Sequence, residues 1–217
     1  MGAAVSVLWW RAELAPLFAP AFAPASVAGQ AAPSVGVIGV RGQPERETAR
    51  RTIRAALQAA LRTALAGRGD AATRVVLHAA PGEAPFAIAD DGGAERRIAL
   101  AISHDGELSV ATFAFDGAVG IDVMHIVPVP DWEAVARDYL GPAVTRLLAG
   151  LPADERDAAF ARAWSEREAR LKCLGLPLDE WHAGGEAALQ ACRCLPLDLP
   201  AGYVGSLVLA PQPSSFY

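Results

Sequence analysis

Between residues 154 and 174 apolar side chains recur at three- and four-residue steps, so that Phe160, Ala163, Trp164, Leu171 and Leu174 share one face. This period predicts a helix. A second helix is predicted over 44–66, where Pro44 suits the first turn, Glu45 and Glu47 complement the N-terminal dipole and Gly67 supplies a stop. Shorter apolar runs rich in β-branched residues predict strands at 5–10, 74–78, 98–102, 108–115, 118–127, 188–195 and 203–209. Residues 103–107 are expected to turn between two strands, which puts His104 at a strand end. Residues 80–93, rich in Gly, Pro and Asp, read as a loop, and 12–34, rich in Pro and Ala, as a long surface connection. Pro128 and Pro130 break the chain before Asp131, the expected N-cap of a helix to about Tyr139; a short helix follows Pro142 to Ala149.

Composition narrows the classes. A chain of 217 residues, 53% of them apolar, can build one large domain or two small ones. A formal charge of −5 argues against a general nucleic-acid binder, which needs a basic surface. Arginines nevertheless crowd the region 41–74, and Arg50, Arg51 and Arg54 fall within about one helical turn, a spacing able to grip a phosphate. Cys173, Cys192 and Cys194 are odd in number and lack metal-site spacing, which points to reduced thiols and a cytoplasmic location. Cys192 and Cys194 are expected on one face of a strand, as small core residues. The apolar start of the chain has no basic n-region and is too short to span a bilayer, so neither secretion nor membrane insertion is expected.

Two stretches can carry chemistry. Glu168 stands at the edge of the apolar stripe, one turn after Trp164 and one turn before Lys172. A carboxylate placed there is costly to desolvate unless a cation meets it. That cation is either Lys172 or a metal, and an ordinary Glu-to-Lys pair at the rim of a core helix accounts for the same residues. Lys172 is the only lysine in a chain that otherwise uses Arg, which fits a need for a compact ammonium. The second stretch is the strand at 118–127, interrupted by Asp122, a residue depleted in strands. Alternation puts Gly120, Asp122 and Met124 on one face and Ile121, Val123 and His125 on the other. Gly120 permits close approach of a ligand or another backbone. An aspartate on a strand and a glutamate on a helix are the usual hard-oxygen donors for magnesium.

Gly120-Ile121-Asp122-Val123, followed about forty residues later by Trp164-Ser165-Glu166-Arg167-Glu168-Ala169 and Lys172, resembles the 4′-phosphopantetheinyl transferases. The likeness is to their larger, surfactin-type group, in which one chain contains two similar halves. Ile102-Ser103-His104-Asp105-Gly106 resembles the family's Ser-His motif, with weaker echoes at Arg50-Arg51-Thr52-Ile53 and 200–205.

The resemblance implies an α+β fold of two pseudo-symmetric halves, 1–115 on the coenzyme A side and 116–217 carrying the magnesium and catalytic motifs. Each half is expected to pack a long helix on a small, mostly antiparallel sheet, with the active site between them. It implies magnesium-dependent transfer of the phosphopantetheine arm of coenzyme A to a serine of an apo acyl, peptidyl or aryl carrier protein, by a monomer without nucleic-acid or membrane partners. Asp122 and Glu168 would be the metal ligands and, with Lys172, the catalytic residues. Arg51, Ser103, His104 and Lys172 would bind coenzyme A.

Two departures stand out. Met124 occupies the position of a common second acid, and Gly82-Glu83-Ala84-Pro85 lacks the lysine of a Gly-Lys-Pro motif. They keep open a catalytically impaired relative that binds coenzyme A or a carrier protein. A two-carboxylate magnesium nuclease shares the acids but lacks the basic surface.

Overall fold

The computed structural model describes residues 6–9, 35–42, 45–70, 74–80, 83–90 and 92–210. The predicted connection at 12–34, Pro44 and Gly82 lie outside them. Strands β1 (Ser6–Trp9), β2 (Val35–Arg41), β3 (Arg74–His78), β4 (Phe86–Asp90), β5 (Glu95–Asp105) and β6 (Leu108–Ala114) form an antiparallel sheet in the order β1-β2-β6-β5-β4-β3. Helix α1 (Arg46–Gly67) starts where the Glu45 carboxylate accepts from the N–H groups of Glu47 and Thr48. Its Ile53, Leu57, Leu61 and Leu65 pack on Ile38, Ile98 and Phe113 of the sheet.

The second sheet has three antiparallel strands, β7 (Val119–His125), β8 (Arg193–Pro196) and β9 (Tyr203–Leu209), in the order β7-β9-β8. Val37, Ala101 and Val110 of the first sheet meet Ile121, Val123 and Leu207 of the second in one apolar cluster. Helix α4 (Ala153–Leu174) covers the far face of the second sheet, where Ala169 and Cys173 pack on Val208. The layers therefore run α1, sheet, sheet, α4. Burying both faces of each sheet explains why Val110, Phe113, Ile121 and Leu207 are all fully buried.

Local differences from the sequence reading have physical causes. Residues 80–93 do not form one loop: β4 lies within them, stabilised by ladders to both β3 and β5 that its own short pattern does not announce. The expected turn at 103–107 is narrower, because β5 continues to Asp105 and only Gly106 (φ 56°) and Glu107 turn. Ser103 and His104 are thus strand residues. Of the strand predicted at 188–195 only 193–195 is strand, within β8; residues 188–191 end a helix, α5 (Ala183–Ala191). Arg170 holds α5 in place by donating to the carbonyls of Leu189 and Cys192. Cys192 consequently caps a helix and does not share a strand face with Cys194. After Asp131 the helix α2 (Trp132–Val135) passes into a π-helical turn, Ala136–Leu140, before α3 (Gly141–Ala149).

Helix α4 departs from a single apolar stripe. Phe160 and Trp164 pack against Leu140 and Leu148. Further along, the small residues Ser165 and Ala169, both fully buried, are what turn toward β7. Among the described residues no helix is long and apolar enough to cross a membrane.

Candidate active site

Strand β7 and helix α4 lie closer than ordinary side chains permit. A Cβ on Gly120 would overlap the carbonyl oxygen of Ala169 and come within 2.6 Å of the Cys173 nitrogen. Backbone, not ligand, is what the glycine admits. Two residues on, Ser165 Oγ donates to the Asp122 carbonyl at 3.2 Å, pinning helix to strand at the acid itself.

Asp122, 5% exposed, therefore points along α4. Its Oδ1 accepts from Lys172 Nζ at 2.6 Å and from Ser103 Oγ at 2.6 Å. Lys172 Nζ also stands 3.4 Å from Glu168 Oε2, so the ammonium lies between a strand carboxylate and a helix carboxylate. Burial pushes the Asp122 carboxyl above the usual carboxylate range; the Lys172 charge and the hydrogen bonds from Lys172 and Ser103 pull it back, and Glu168 adds to the rise.

These groups line an open cleft of about 330 Å³, together with Arg46, His104, Asp105, Met124 and Trp164. His104 Nδ1 is buried there without a hydrogen-bond partner among the described residues. Burial lowers the His104 pKa, and the charges of Arg46, Arg50 and Lys172 lower it further, opposed by Asp105. Cationic side chains thus stand beside the His104 ring in a cleft whose lining also carries Asp105, Asp122 and Glu168. Beyond Ile102 and Lys172 the cleft adjoins a second groove of about 420 Å³, lined by apolar residues including Pro85, Leu100, Leu176 and Pro177.

Asp122, Glu168, Lys172, Ser103 and His104 are thus brought together. Ser103 is 7% exposed, and its hydroxyl is occupied by Asp122, the Val123 N–H at 3.4 Å and Lys172 at 3.4 Å. Arg51 is not brought in: it is exposed and donates to Thr48. The cleft takes Arg46 instead, one of the arginines in the basic run, whose place on the first turn of α1 decides its reach. Ser165 and Asp105 were not legible as site residues, since both act on backbone groups of β7.

Among the described residues no three His, Cys, Asp or Glu side chains are placed to hold a metal ion. Asp122 and Glu168 offer two hard carboxylates, a donor set that fits magnesium, which keeps waters and takes phosphate oxygens for its other positions.

Comparison with known sequences bears on this same segment. Residues 118–205 match the family described as the 4′-phosphopantetheinyl transferase superfamily. The chain is 31% identical over 88 residues to 4′-phosphopantetheinyl transferase HetI of Nostoc sp., covering 41% of this chain and 37% of that protein. It is 26% identical over 74 residues to the putative 4′-phosphopantetheinyl transferase slr0495 of Synechocystis sp., covering 34% of this chain and 30% of that protein. The chain thus spans about a third of the length of these relatives. His104, Ser103 and Arg46 fall outside the matched family segment. Over the segment that carries Asp122, Glu168 and Lys172, the chain is similar to the 4′-phosphopantetheinyl transferase superfamily.

Proposed function

We propose that this protein transfers the 4′-phosphopantetheine arm of coenzyme A to a serine of an apo carrier protein, with magnesium, releasing adenosine 3′,5′-bisphosphate. The observation that carries this reading is the Asp122–Lys172–Glu168 arrangement, inside the matched segment and lining one cleft with His104.

Coenzyme A presents a pyrophosphate, and the cleft supplies what such an anion needs. Lys172 and Arg46 bring positive charge, and His104 brings a ring nitrogen without a hydrogen-bond partner among the described residues. Asp122 and Glu168 would hold the magnesium, which when bound neutralises pyrophosphate charge. The carrier serine oxygen forms a bond to the phosphorus bearing the pantetheine arm, and the bond from that phosphorus to the departing bisphosphate breaks. Glu168, more exposed than Asp122, takes the serine proton, directly or through a water it orients. Ser103 serves through Asp122, which its hydroxyl orients. The apolar groove beyond Lys172 offers the arm a course away from the phosphates.

The site falls between the two parts of the chain, 1–115 and 116–217, which we read as related halves acting within a monomer. In each, a seven-residue strand precedes a 22-residue helix and pairs with the last strand, giving the orders β2-β6-β5 and β7-β9-β8. The same reading places the reaction in the cytoplasm.

The test is mass spectrometry of apo carrier proteins incubated with coenzyme A and this protein, with magnesium or with chelator. A magnesium-dependent gain of one phosphopantetheine arm is expected. No gain on any carrier, from folded protein that binds coenzyme A, would leave a binding protein instead.

A further inference from the structure

Among the described residues the two sheets share no backbone ladder, yet β7 is held against β5 by Ser103 and Asp105. Among the described residues β7 is an edge strand; the outward N–H of buried Val123 needs an acceptor, and that of His125 lies at the exposed end of the strand. The Val123 N–H donates to Ser103 Oγ at 3.4 Å, and two residues on the His125 N–H donates to Asp105 Oδ2 at 2.7 Å. Ser103 and Asp105 are likewise two residues apart, so they share one face of β5. Side chains of one strand thus replace the missing ladder, rung for rung. His104, the residue between them, lines the same cleft as Asp122, the residue before Val123.

We propose that Asp105, with Ser103, is a positioning residue for the reaction proposed above, on which this inference rests. The two rungs set where His104 of one sheet stands relative to Asp122 of the other. Ser103 is tied to Asp122 as well; Asp105 is not, but its charge acts on His104, so Asp105→Asn, which removes the charge and keeps the acceptor, separates the clamp from the charge. A shift of about 1 Å between groups that must meet one substrate can cost on the order of 100-fold in rate.

Asp105→Ala deletes the acceptor, Asp105→Asn keeps an oxygen for the His125 N–H, and His125→Pro deletes the donor from the other side. The proline costs no ladder bond, because that N–H points to β5 and not to β9. Each variant is assayed for arm transfer on the carrier that the wild type modifies, with the folded fraction measured by circular dichroism. The expected result is a fall in kcat of about 10-fold or more in Asp105→Ala and in His125→Pro, with no further fall when the two are combined. Asp105→Asn should recover most of the rate. Wild-type kcat per folded molecule in Asp105→Ala would overturn the inference, as would an Asp105→Asn variant as slow as the alanine. If Asp105→Ala fails to fold, His125→Pro and Asp105→Asn decide by the same criteria. A wild-type protein that neither binds coenzyme A nor modifies any carrier would instead overturn the proposed reaction, and this inference with it.

Discussion

Lys172 Nζ stands 2.6 Å from Asp122 Oδ1 and 3.4 Å from Glu168 Oε2, so the chain's single lysine joins a strand carboxylate to a carboxylate one turn back on its own helix. A compact ammonium fits between two acids where a planar guanidinium does not. Lys172→Ala is expected to lower transfer by about 100-fold. Lys172→Arg, which preserves the charge, should not restore it. Steady-state rates read beside coenzyme A affinity by calorimetry check both outcomes; full rescue by arginine would show that charge alone matters.

Met124 shares the α4-facing side of β7 with Asp122 and lines the same cleft. A thioether is too soft to ligate magnesium. Met124→Glu would add a third hard donor and should lower the magnesium concentration giving half-maximal transfer. An unchanged metal titration would place residue 124 outside the ion's coordination.

His104 links the cleft to pH. Its folded pKa is lowered from an ordinary value near 6.5, first by burial and then by Arg46, Arg50 and Lys172. The folded state therefore binds fewer protons than the unfolded state in the window below 6.5. The stabilisation that comes from keeping this ring neutral is complete above that value and is lost as pH falls through the folded pKa. Urea midpoints at pH 7.5 and pH 5.5 should differ less in His104→Gln than in the wild type. A polyphosphate in the cleft would raise the same pKa, so binding near pH 6 should take up protons, a quantity calorimetry in buffers of different ionisation enthalpy measures directly.

Gly120 tests the strand–helix contact. Because the clash of a Cβ there is with helix backbone, no side chain can move aside, and Gly120→Ala should cost about 2 kcal/mol or more in denaturant unfolding. At Gly67, the end of α1, an added Cβ would meet nothing within 4 Å among the described residues, so Gly67→Ala should be neutral or stabilising by up to about 1 kcal/mol. Equal effects at the two sites would mean that β7 and α4 are not in this close contact.

Much of the architecture was legible because it depends on local period. The 22-residue helices and the strand carrying Asp122 follow from three-to-four-residue and two-residue repeats, and alternation correctly separated Ile121 and Val123, which enter the core between the sheets, from Gly120 and Asp122, which face α4. Elements that owe their form to partners were not legible. β4 is a strand because β3 and β5 flank it, and α5, with two glycines in its first turn, is a helix that Arg170 and the Trp181–Glu186 hydrogen bond tie down.

The same division holds within the cleft. Sequence by itself determined that Glu168 and Lys172 lie one turn apart and that Asp122 shares a strand face with Gly120, since helix and strand geometry set both over a few residues. The tertiary structure alone decided that Lys172 reaches Asp122 across 50 residues, that Ser103 is spent orienting that acid, and that Arg46 lines the cleft in place of Arg51. Those choices depend on how closely two sheets and two helices approach, and that spacing is set by small residues and side-chain rungs far apart in the chain.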